Sequence, residues 1–184
     1  MTAWIVPTAR AVGWLPLAAV GALLVGTSVL TAYADRWPLA MVGTAAGALA
    51  AAAVAGLHDR AADLMSALPT SAALRRVQRL SLLVPATVIT WLAYLAPGQA
   101  DVPALGWPLG PLLALLATGV AVSALTGGHG GVALGVAVPL AWTAATRVGG
   151  PLDEDLAGVL FAWQHHPWLV ITAATAALVW RGNR

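Results

Sequence analysis

The sequence predicts an all-α polytopic membrane protein, one transmembrane domain over residues 1–184 built from six spans. Three observations predict it. The 184 residues are 60% apolar and 9% charged, with a mean hydropathy of +0.83; a soluble domain is closer to half apolar and a quarter charged. The apolar residues fall into six runs. The basic residues partition unequally between the connections. Six spans of about 20 residues use roughly 120 positions, which leaves no room for a separate soluble domain.

The runs cover about 11–31, 38–57, 74–96, 109–125, 132–146 and 156–180. The breaks are Ala34-Asp35-Arg36, Pro97-Gly98-Gln99-Ala100-Asp101, the Gly127–Gly131 cluster and Gly149-Gly150-Pro151. Arg10 before an apolar stretch, with Ala32-Tyr33-Ala34 after it, mimics a cleavable leader. The stretch is longer than a leader core of about 7–15 residues, so it reads as a true first span.

Arginine placement sets the orientation. With six spans, Arg10, Arg60, Arg75, Arg76, Arg79, Arg181 and Arg184 share one side, and Arg36 and Arg147 the other. Positive residues favour the cytoplasmic side, so both termini are expected there. Trp37, Trp91, Trp107, Trp142, Trp163 and Trp168 fall near outer span ends, and Trp4, Trp14 and Trp180 near inner ends. Such belts read as interfacial anchors.

Composition excludes several functions. All nine basic residues are Arg, so there is no lysine for a phosphate-loop nucleotidase or a Schiff base. With no cysteine there is no disulfide or iron–sulfur cluster. The net charge of +2 is too small to point to nucleic acid. No ionisable residue lies in the middle of an assigned span, where ion-coupled carriers and proton pumps keep theirs. If the chain moves a solute, the energy comes from another subunit.

Gly43-Thr44-Ala45-Ala46-Gly47 and Gly131-Val132-Ala133-Leu134-Gly135 are faces with small residues four apart. They suit close helix packing, either inside the chain or between subunits.

The connection between the second and third spans is the most informative segment. In LHDRAADLMSALPTSAALRRVQRL, Leu57, Ala61, Leu64, Met65 and Leu68 share one helical face. Asp59, Arg60, Asp63 and Ser66 share the opposite face. This is a short amphipathic helix with Asp59 as N-cap, ended by Pro69. Thr70 or Ser71 caps the following span. Arg75, Arg76 and Arg79 then stand at headgroup level as membrane-surface anchors. The helix is either a connector lying on anionic lipid or a docking element for a soluble partner.

The stretch HDRAADLMSALPTSAALRRVQRLSLLVPATVITWLAYL resembles the coupling segment of the membrane subunits of six-span ABC exporters. It is similar in particular to the small type-two permeases of high-GC Gram-positive bacteria. The residues that carry the likeness are Asp59, Leu64, Leu68-Pro69-Thr70, Arg75-Arg76, Arg79-Leu80 and Pro85. His166-Pro167-Trp168 resembles the break between the outer re-entrant helices and the final span in the same family.

The resemblance implies a permease subunit that forms the translocation path and is not itself an enzyme. It would pair with a second permease, the same or homologous. ATP and Mg would be held by a separate ATP-binding cassette subunit, with no cofactor in this chain. Asp59, Arg60, Asp63, Leu64, Ser66 and Leu68 would couple to that ATPase. The short fourth-to-fifth loop departs from the family and implies a small or shared chamber.

Asp153 to Trp180 is too long for one upright span and too short for two. A helix from Pro167 to Trp180 would reach about 20 Å, short of the ~30 Å hydrocarbon core. Leu156 to His165 would then form a partly inserted outer helix; the alternative is a single tilted helix kinked at Pro167. The four histidines, His58, His129, His165 and His166, suggest a second function, a haem- or metal-binding anchor subunit of a redox complex. A b-type haem usually needs two facing histidines within the spans, and none is deep here.

Overall fold

The computed structural model describes residues 5–33, 41–58, 72–98, 109–148 and 154–182. These form helices α1 (Ile5–Ala11), α2 (Trp14–Tyr33), α3 (Val42–Ala55), α4 (Ala72–Leu95), α5 (Leu109–Thr126), α6 (Gly128–Val148), α7 (Glu154–His165) and α8 (Pro167–Gly182). A single 3₁₀ turn, Ala96–Gly98, extends α4. Three helical stretches, Trp14–Tyr33, Ala73–Leu95 and Leu109–Thr126, are long and apolar enough to cross a membrane. Val42–Ala55 and Pro167–Arg181 are apolar but shorter.

The centre of the fold is the group α3, α5 and α6, with α8 against α5 and with α2 and α4 flanking α3. α3 is buried on nearly all sides from Ala45 to Val54 because it is made almost wholly of Ala and Gly. Alanine costs the helix least, and its small radius admits neighbours from every direction. Leu49, Val54, Leu112, Leu115 and Leu83 fill the interior completely. Large apolar residues face outward at Leu15, Leu23, Leu30, Ile89 and Leu169. An apolar exterior around an Ala/Gly interior suits a lipid solvent, where close van der Waals contact holds helices together.

Both small-residue faces are consumed inside the chain. A Cβ on Gly47 would lie 2.5 Å from Thr143 Oγ1 on α6, and one on Gly43 would lie 3.0 Å from the Trp163 ring on α7. A Cβ on Gly131 would meet the Ser123 carbonyl at 2.7 Å, and one on Gly135 the Gly119 carbonyl at 2.5 Å. Pro139 lies inside α6 and packs on Gly119. Lacking an N–H, it leaves the Gly135 carbonyl without its intrahelical partner. That oxygen is 2.7 Å from where a Gly119 Cβ would be, so it faces the Gly119 Cα. Contact of a Cα–H with a carbonyl is a recognised feature of close helix crossings.

The helix ends sort into two sets. Gly13 N–H donates to the Gly56 carbonyl at 3.4 Å, which joins the start of α2 to the end of α3. Arg79 of early α4 reaches Leu57, and Arg181 of late α8 lies over Gly127 between α5 and α6. At the opposite end, Arg147 of late α6 donates to Thr44 of early α3 at 3.2 Å. Gly110 of early α5 faces Pro167 of early α8 there. Successive long helices therefore run in alternating directions.

Details differ from the sequence reading. The first span starts at Trp14, slightly later than expected, and a short helix α1 precedes it. Only Gly127, at φ +67°, breaks the chain between α5 and α6, and Gly128–Gly131 already belong to α6. The last run, by contrast, is two helices as its length implied, and not one kinked helix. His166 N–H closes α7 on the Ala162 carbonyl at 2.8 Å, and the His166 carbonyl accepts from Leu169 at 3.0 Å to open α8. Pro167 sits at the first position of α8, where its missing N–H costs nothing.

Candidate functional site

The basic end of the bundle is the candidate site. Arg79 is buried despite its charge, and its Nη1 donates to the Leu57 carbonyl at 3.3 Å. That carbonyl lies just beyond the C-terminus of α3, where the helix leaves acceptors unsatisfied and the dipole favours a cation. Arg79 thus ties α4 to the end of α3. Arg75 and Arg76 are half-buried one turn earlier on α4. Arg76 is close enough to Arg181 for the two positive charges to repel. Arg10, in the last turn of α1, is exposed, and α1 packs against α4.

These residues surround the two points where the chain leaves and re-enters the described structure, His58 and Ala72. Asp59, Arg60, Asp63, Leu64, Ser66 and Leu68 lie outside the described residues, as do Pro69 and Thr70.

The opposite end is organised by α7. Trp163 is 1% exposed and packs its ring on Gly43, and its indole Nε1 has no hydrogen-bond partner. Trp142 Nε1 donates to the Leu160 carbonyl at 2.9 Å, fixing α7 to α6. Trp91 is also buried and stacks on Tyr94 with centroids 5.5 Å apart. Two of the expected interfacial tryptophans, Trp91 and Trp163, are therefore core residues, whereas Trp14, Trp168 and Trp180 are exposed. His165 and His166 are exposed, and the His165 ring lies 6.2 Å from Phe161. Among the described residues, no three His, Asp or Glu side chains gather into a metal-holding group.

One feature has no counterpart in the sequence reading. A laterally open groove of about 460 Å3 runs between α2 and α4. Its α2 side is Trp14, Leu17, Ala18, Gly21, Ala22 and Val25, and its α4 side Ala86, Ile89, Thr90 and Ala93. The signal was a run of small residues at three- and four-residue spacing on both helices. At the floor, Gly21 admits the Thr90 methyl, which would stand 2.7 Å from a Cβ there.

No protein-family model, curated protein or solved structure matches the chain.

Proposed function

We propose that the chain is the transmembrane subunit of an ATP-driven exporter, crossing a bacterial plasma membrane six times with both termini cytoplasmic. On this reading α2, α3, α4, α5, α6 and the α7–α8 pair are the crossings, and α7 is the partly inserted outer helix. One observation carries the reading: Arg79 clamps the start of α4 to the end of α3, on the Arg-rich end of the bundle. The segment 59–71 therefore leaves and rejoins a braced pair of helix ends. Force applied to that segment by an ATPase would reach two helices together. The lack of ionisable residues in mid-span agrees with an external energy source. A second permease subunit, identical or homologous, would complete the path.

The test is affinity purification of the membrane complex with mass spectrometry, followed by ATPase assay. An ATP-binding cassette subunit should co-purify, and hydrolysis should depend on it. Exchanging charges with Asp63→Arg and Arg60→Glu should uncouple hydrolysis from transport without blocking insertion. Reporter fusions at 98–100 and 150–153 should read outside, and those near 66 and 184 inside. Full coupling in the double variant would reduce the loop to a lipid-anchored connector. A Soret band and redox subunits in the purified complex would replace the exporter with a haem anchor.

A further inference from the structure

We propose that the α2–α4 groove holds one acyl chain of an anionic phospholipid from the leaflet at the basic end, with Arg10 at its phosphate. The inference rests on the membrane location of α2 and α4, not on the exporter reading.

Four features select this occupant. The lining is apolar except for Thr90, whose hydroxyl is already spent on the Ala86 carbonyl at 2.8 Å. The groove is open sideways, so a chain in the bilayer enters without crossing protein. Its length matches one leaflet: Trp14 to Val25 is eleven residue steps, about 16 Å of helix, against roughly half of a ~30 Å hydrocarbon core. It also begins at the basic end, because Gly13, next to Trp14, bonds to Gly56 there.

The mouth supplies the headgroup chemistry. Trp14 Nε1 donates to the Ala9 carbonyl at 2.6 Å, which fixes the indole beside the last turn of α1. Arg10 follows Ala9 and is exposed. An indole at the interface with an arginine next to it is a common anchor for a phosphodiester. The groove walls explain the width. Ala18, Ala22 and Ala93 are exposed along it, and larger residues there would fill the space without touching the core.

The test uses the full chain in phosphatidylcholine nanodiscs containing a trace of phosphatidylglycerol brominated on one acyl chain. Bromine quenches nearby indoles, and the wild-type signal minus that of Trp14→Phe isolates Trp14. Trp14 should be quenched about fivefold more by brominated phosphatidylglycerol than by brominated phosphatidylcholine, the scale of one arginine near an anionic headgroup. Arg10→Gln should remove this preference and retain quenching by both lipids. Ala22→Leu with Ala93→Leu should abolish the Trp14 quenching, with helicity by circular dichroism unchanged.

Quenching that survives the filled groove would overturn the proposal. A preference that survives Arg10→Gln would overturn the headgroup assignment. A wild-type chain that runs as a dimer, excludes both brominated lipids from Trp14 and dissociates on groove filling would assign the groove to a second copy instead.

Discussion

Replacing Gly135 by alanine tests the central α5–α6 crossing. The new Cβ would stand 2.5 Å from the Gly119 carbonyl, 2.7 Å from Ser123 Cβ and 3.0 Å from Val54 Cγ1. The first obstacle is backbone, and Ser123 and Val54 close the other directions, so the helices must separate. Overpacking of this kind costs about 1–3 kcal/mol. Alanine returns about 0.5–1 kcal/mol of helix propensity. The net loss should be about 0–2.5 kcal/mol. Gly26 is the control: nothing lies within 4 Å of its virtual Cβ, so Gly26→Ala should stabilise by about 0.5–1 kcal/mol. Both are read from SDS titration in mixed micelles, followed by circular dichroism. Gly119→Ala probes the same contact, so the double variant should lose less than the sum, by about 0.5–3 kcal/mol. If Gly135→Ala and Gly26→Ala unfold within about 0.5 kcal/mol of each other, the usual range for neutral surface changes, the close crossing is refuted.

Three further outcomes are expected. Arg79→Gln should cost about 1.5–3 kcal/mol, the value of a charged hydrogen bond, and should speed amide exchange at residues 55–58; exchange unchanged from wild type would mean that Arg79 braces nothing. Trp142→Phe should lose about 1 kcal/mol with its bond to Leu160. Trp163→Phe gives up no hydrogen bond, and Trp163→Ala should cost about 3–5 kcal/mol through the cavity; equal costs for the two phenylalanine variants would contradict the bonding pattern. Gly127→Ala should cost about 1–2 kcal/mol from its left-handed backbone, since the nearest atom to the new Cβ, Arg181 Nη2, is at an ordinary 3.5 Å; thermal melts of Gly127→Ala against Gly127→Asn separate strain from contact, asparagine tolerating that conformation better.

Helix positions were legible because apolar runs in this chain are long and are bounded by Gly, Pro and charge. The division at His166-Pro167 followed from length arithmetic and proline chemistry. Helix faces were less legible. In α2, α3 and α5 nearly every residue is apolar, so a core face and a lipid face have the same composition. Trp91 and Trp163 accordingly looked like interfacial anchors although both are buried. The small-residue faces were visible as Gly43–Gly47 and Gly131–Gly135, but their partners, Thr143 and Gly119, are fixed only by tertiary packing. The Gly127–Gly131 cluster misled for a local reason: one left-handed glycine suffices to reverse the chain, and the glycines after it already belong to α6, where Gly131 packs on Ser123 of α5. Arg79 is indistinguishable in sequence from Arg75 and Arg76; its burial follows from its position one turn further along α4, opposite Leu57. The candidate coupling residues Asp59 to Leu68 rest on their amphipathic pattern and on the braced helix ends beside them.

The polar bonds of the bundle are distributed by depth. The buried hydroxyls of Ser28, Thr87, Ser123 and Thr143 donate to Val25, Leu83, Val120 and Pro139, carbonyls of their own helices. Each is satisfied without tying one helix to another. The interhelical bonds described above are at the ends: Gly13 to Gly56, Arg79 to Leu57, Arg147 to Thr44 and Trp142 to Leu160. The mid-depth contacts described are apolar, Gly and Ala beside Leu49, Val54, Leu112 and Leu115, and a small shift there breaks none of these bonds. On the exporter reading, this distribution has a mechanical consequence. Force entering at the basic end acts first on α3 and α4 through Arg79, and the small-residue crossings let α3 move against α5 and α6 at low cost. Placing an interhelical hydrogen bond across the α3–α5 crossing at mid-depth should then slow transport more than it changes stability. Such a bond in a membrane interior contributes only about 0.6–2 kcal/mol, so transport that is unaffected by it would argue against helix sliding as the coupled motion.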